Sequence, residues 1–111
     1  MADALTTTEV EPCPVGPVHQ VLAALQDPVR LEMVRRLRNA DGAPVQCQAL
    51  YDGINKSTAT HHIRILREAG LTVRLSADGL TYQKLRDADV DAAIPGLLEA
   101  VVGSANRQVG Q

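Results

Sequence analysis

Apolar residues recur along this chain in two successive periods, and the change between them marks out its elements. From Pro17 onward, Val18, Val21, Leu22 and Leu25 fall at the spacing of one helical face. Asp27-Pro28 then opens a second helix. Aspartate accepts hydrogen bonds from free backbone N–H groups, and proline suits the first helical position, where its missing N–H costs nothing. Leu31, Val34 and Leu37 form one face of this helix, and Arg30, Arg35, Arg36 and Arg38 surround it. The stretch from Asn39 to Pro44 contains Asp-Gly and Pro and reads as a loop. A short third helix is expected from Val45 to Tyr51, ended at Gly53, a residue that tolerates a left-handed backbone. Asn55 is the expected cap of a fourth helix over residues 56–69, with Ala59, Ile63 and Leu66 pointing inward and Gly70 closing it.

The period then drops to two. Leu71, Val73 and Leu75 precede Ala77-Asp78-Gly79, and Leu80, Tyr82 and Leu85 follow it. Alternation around Asp-Gly predicts a hairpin. Asp87, Asp89 and Asp91 open a last helix, where acids suit the positive end of the helix dipole. Pro95-Gly96 predicts a kink or restart before Leu97, Leu98, Val101 and Val102. The expected fold is mainly α with a small β-hairpin, in the order α-α-α-α-β-β-α. A flexible N-terminal arm is expected over 1–15, a folded domain over 16–103 and a flexible tail over 104–111.

Composition sharpens this picture. A length of 111 residues suits one domain. The chain has no Trp or Phe and only two Tyr, so its core must be Leu, Val, Ile and Ala. That suits packed helices and argues against an aromatic platform for single-stranded nucleic acid. No apolar run is long enough to span a bilayer. The first ten residues carry Asp3 and Glu9 but no positive charge, unlike a secretory signal, so the cytoplasm is the expected location, without a membrane partner. The two cysteines make no disulfide framework and are expected there as thiols.

The formal net charge of −2 conceals an uneven distribution. Lys56 to Arg86 holds six basic residues against two acidic ones, whereas the remainder holds five against eleven. A basic segment within an acidic chain is an expected footprint of nucleic-acid binding. The short helix, the turn at Gly53 and the fourth helix together form a helix-turn-helix, a unit that lays its second helix in the major groove of double-stranded DNA. The outer face of that helix offers Lys56, Ser57, Thr58, Thr60, His61 and Arg64. Ser and Thr serve either base type or a phosphate. Arg74 and Lys84 on the hairpin are the expected wing contacts to the DNA backbone, weakened by Asp78 at its tip. Each piece taken alone has a purely structural reading: Ser57 and Thr58 as caps, the His61-His62 pair as one surface and one core residue, the hairpin as a lid. Their order favours a DNA reader. The rival is a winged-helix adaptor that binds proteins. Catalysis is disfavoured, because adjacent histidines on a helix face different ways and no nucleophile or phosphate-loop arrangement is present.

The same residues resemble a known family. Asp27-Pro28-Val29-Arg30-Leu31 resembles the opening of the second helix in ArsR/SmtB-type repressors. Ser57-Thr58-Ala59-Thr60-His61-His62-Ile63 resembles their recognition-helix motif, and Leu66 to Leu71 resembles the lead into the wing. The likeness covers residues 17–102. It implies a winged helix-turn-helix homodimer joined through its first and last helices, a repressor on a pseudo-palindromic operator, and control by an effector. By position, Lys56, Ser57, Thr60 and His61 match the family's contacts to bases and phosphates.

The family's metal ligands carry over only in part. Its thiolate site uses Cys-x-Cys at the third helix, where this chain has Cys47 alone. Its second site needs histidines on the last helix, where this chain has only Asp87, Asp89, Asp91 and Glu99. Three readings of the cysteines stay open: an inert pair; a nickel or zinc site of Cys13, Cys47 and His19 across a dimer; and a redox switch. A separate sensing partner protein is a further source of control.

Overall fold

The computed structural model describes residues 6–7 and 12–109. The elements are β1 (Thr6–Thr7), α1 (Val18–Leu25), α2 (Pro28–Asn39), β2 (Val45–Gln46), a 3-10 turn (Cys47–Leu50), α3 (Lys56–Glu68), β3 (Thr72–Ala77), β4 (Leu80–Leu85), α4 (Asp87–Ala93) and α5 (Leu97–Val109). The strands form one antiparallel sheet in the order β1-β3-β4-β2. The helices pack against it around Val21, Met33, Leu37, Leu66, Leu71 and Leu85, each nearly inaccessible to solvent. The arrangement is a winged helix-turn-helix, mainly helical.

Local chemistry explains the helix starts. Asp27 accepts from the backbone N–H of Val29 at 2.8 Å and of Arg30 at 3.2 Å, and Pro28 takes the first helical position. Burial pushes the Asp27 carboxyl up, but these two N–H groups and the nearby Arg30 charge outweigh it and hold it below the usual carboxylate range. The inward face of α2 centres on Met33, Val34 and Leu37, with Leu31 only half-buried.

Two expectations are corrected, and one open alternative is decided. Val45 to Tyr51 is not a helix. Val45 and Gln46 pair with Gln83 and Tyr82 of β4, and a single 3-10 turn follows that buries Leu50. Pairing with a neighbouring strand has overridden local preference there. Of the kink or restart expected at Pro95-Gly96, the structure has the restart: α4 ends at Ala93 and α5 begins at Leu97. Before proline, Ile94 leaves the helical region at φ −137° and ψ 81°, Gly96 takes a left-handed backbone, and the Gly96 N–H donates to Asp91. The expected tail from residue 104 is helical to Val109. Ala105 is buried, and Asn106 exchanges amide hydrogen bonds with Asn39 at 3.0 Å and accepts from Arg35 at 3.3 Å, fixing α5 against α2. Residues 110–111 lie outside the described residues, as do 1–5 and 8–11 of the expected arm. Residues 12–16 lie against the body: the Gly16 N–H donates to Ala69, and Arg86 donates to the Cys13 and Gly70 carbonyls.

The second helix also carries a charge cluster that steadies the helix-turn-helix. Glu32 bridges Arg35 and Arg36, both at 2.7 Å, and Arg36 continues to the Ala49 carbonyl and Asp52 beyond the 3-10 turn. Hydrogen bonds from Arg35, resisted by burial but joined by Arg36, hold the Glu32 carboxyl down at about 2. A carboxyl depressed in the folded state stabilises above its unfolded value and loses that contribution as pH falls through its folded one. Wild type is therefore expected to lose about 1 kcal/mol between pH 4.5 and 2, a figure discounted for the solvent reaching this pair. Glu32→Gln should lack that component, which urea unfolding across the same pH range will check.

Candidate nucleic-acid interface

The helix α3 begins at a cap built from two residue types. Asn55 accepts the Thr58 N–H at 2.8 Å, and the Ser57 hydroxyl donates to the same Asn55 oxygen at 3.0 Å. The turn before it uses Gly53 with a φ of +79°. Ala59, Ile63 and Leu66 are buried at the four- and three-residue spacing of one helical face. Burying side chains of the size of Ile63 and Leu66 contributes about 1.5–3 kcal/mol each. That anchored face leaves Lys56, Ser57, Thr58, Thr60, His61 and Arg64 exposed on the other side.

Orientation of α3 depends on an arginine that the sequence shows around α2 and in its opening motif, without its role at this junction. Arg30 donates to the Ala24 and Ala23 carbonyls at 2.7 and 3.3 Å, capping the end of α1, and reaches His62 Nδ1 at 3.0 Å. A guanidinium offers only hydrogens, so Nδ1 is the acceptor. Arg30 thus ties α1, α2 and α3 at one point. His62 is the half-buried member of the histidine pair and His61 the exposed one.

The hairpin β3–β4 turns through Asp78 and Gly79, with φ of +55° and +79°, the two left-handed residues of a tight hairpin turn. Its register sets Arg74 opposite Gln83 and Val73 opposite Lys84. Neighbouring pairs point to opposite faces. Arg74 therefore shares a cleft with Lys56, Thr60, Arg64 and Arg67 of α3, whereas Lys84 lies on the far face beside Asp87 and Asp89. The structure brings Arg74 to the α3 surface and separates Lys84 from it. Arg67 joins the cleft and was not among the expected contacts. Its signal was the three-residue step from Arg64.

A family model described as a helix-turn-helix domain matches residues 25–76, from the end of α1 through most of β3. The uncharacterized HTH-type transcriptional regulator YceK of Bacillus subtilis (strain 168) is 34% identical over 84 residues, covering 74% of this chain and 83% of that protein. A crystal structure of an ArsR family transcriptional regulator superposes with a TM-score of 0.57 at 17% identity, covering 85% of this chain and 97% of the other. This chain belongs to the helix-turn-helix transcriptional regulators. It is a DNA-binding regulator and not an enzyme. No helix among the described residues is long and apolar enough to cross a membrane.

The ArsR-type metal ligands do not converge within one chain. Among the described residues no three His, Cys, Asp or Glu side chains come together. Cys13 lies by Arg86, Cys47 lines the cleft beside α3, and His19 is exposed on α1 near Leu22 and Val101. Both cysteines are free thiols.

Proposed function

We propose that the protein is a homodimeric repressor that occupies a pseudo-palindromic operator, with one α3 in the major groove of each half-site. Lys56, Ser57, Thr60 and His61 read or hold the groove, Thr58 supports the helix start, and Arg64 and Arg74 hold phosphates. Lys84, on the opposite face of the hairpin, is left out of this set. The observation that carries the reading is the two-sided α3: an apolar face locked into the core and a polar, cationic face held out to solvent. Such a helix presents base-edge donors and acceptors at fixed spacing.

The dimer rests on apolar surface that the monomer leaves uncovered. Val18 and Leu22 on α1 are 51% and 48% exposed, although the rest of that helix buries Val21, Ala24 and Leu25. Leu22 lines a groove of about 510 Å³ with Leu25 and Val101, between α1 and α5. A two-fold axis there would set both patches on their own copies and space the two α3 helices for half-sites about one helical turn apart. Leu22→Glu would place two unpaired carboxylates in that interface. The expected result is a dimer dissociation constant raised about a thousandfold, read by sedimentation equilibrium, with the monomer still folded. A variant as dimeric as wild type would rule out this interface.

A further inference from the structure

The cleft between α3, the turn at Cys47–Leu50 and the hairpin encloses about 400 Å³, within the range of small-molecule sites. Its wall contains Gln83, which is only 1% exposed and whose Oε1 has no hydrogen-bond partner. A buried acceptor left unpaired costs stability, and a ligand donor reaching it would recover that cost. Ile63 and Leu80 give the cleft apolar walls, and Lys56 and Arg64 stand on the same lining with Arg67 and Arg74. An orphaned acceptor, an apolar wall and a cationic lining specify three parts of one molecule.

We propose that this cleft binds a small organic carboxylate that also carries a hydroxyl donor. The hydroxyl donates to Gln83 Oε1, the apolar body lies on Ile63 and Leu80, and the carboxylate meets the cationic lining. Lys56, Thr60 and Arg64 belong both to this lining and to the DNA face, so occupancy lowers DNA affinity. Only that regulatory half rests on the proposed role of α3. Binding itself does not.

Cys47 lines the same cleft and Cys13 does not, so their alkylation rates report occupancy with no DNA present. The probes are 4-hydroxybenzoate, benzoate and 4-hydroxybenzamide, with iodoacetamide labelling read by peptide mass spectrometry. Saturating 4-hydroxybenzoate is expected to slow labelling of Cys47 about tenfold and to leave Cys13 unchanged. Benzoate, lacking the donor, and 4-hydroxybenzamide, lacking the charge, should need concentrations about tenfold higher for equal shielding. Gln83→Leu should erase the advantage of 4-hydroxybenzoate over benzoate. The comparison of probes on wild type decides the matter even if that variant does not fold. No shielding, or equal shielding by all three probes, overturns the site. A parallel titration with duplex DNA should show affinity reduced about tenfold by 4-hydroxybenzoate. Shielding with unchanged DNA affinity overturns the antagonism. Shielding by a protein that binds no duplex overturns the role of α3 and leaves the cleft standing.

Discussion

Replacing Gly70 with alanine is expected to cost about 3 kcal/mol of unfolding free energy, far more than the same change at Gly53. Both glycines hold a left-handed backbone, at φ of +87° and +79°. That conformation alone costs an alanine about 1–2 kcal/mol. Gly53 has nothing within 4 Å of where a Cβ would sit, so its penalty ends there. At Gly70 the added carbon would overlap the Val15 backbone and the Pro14 carbonyl, atoms that cannot rotate away. The 12–16 segment must lift off, breaking the Gly16–Ala69 hydrogen bond and the Arg86 contact to the Cys13 carbonyl. Urea unfolding of the two variants side by side checks the difference. Equal losses would mean that residues 12–16 do not pack on Gly70 in solution.

Thr60→Ala with His61→Ala should weaken binding to the operator about a hundredfold without lowering the melting temperature. Both side chains are exposed on α3, and neither has a hydrogen-bond partner among the described residues, so folding loses little. In the complex each lost contact to a base edge is worth about 1–3 kcal/mol, and two such losses give the stated factor. Ser57 makes a useful contrast. Its hydroxyl already donates to Asn55, so Ser57→Ala touches the helix cap as well as the DNA face, and its effect would be mixed.

Much of this was legible in the sequence wherever a feature depends on neighbours in the chain. Asp27-Pro28, Asn55 and Asp78-Gly79 act through their own backbone, and each does in the structure what its chemistry predicts. The inner face of α3 follows from its period alone. Features set by distant partners were not legible. Gln83 is buried and Leu80 is 44% exposed, the reverse of what apolar alternation along β4 suggests, because register with β3 and β2 decides which side faces α3. The same register carries Lys84 away from Arg74, although the two seemed equivalent as wing cations. Helix α5 outlasts its apolar pattern because Asn106 meets Asn39 and Arg35 across the fold, a contact no local spacing announces. Arg30 was visible as a motif residue, but its role at the junction of three helices needed their geometry.

The central claim is that the exposed face of α3 reads double-stranded DNA. Its most direct test is a fluorescence-anisotropy titration against duplex DNA from the region upstream of the protein's own gene, at two salt concentrations, with wild type and the Thr60→Ala, His61→Ala protein in parallel. The account predicts tight wild-type binding that weakens steeply with salt, and a folded variant that binds about a hundredfold more weakly. A folded variant that binds as tightly as wild type would contradict it.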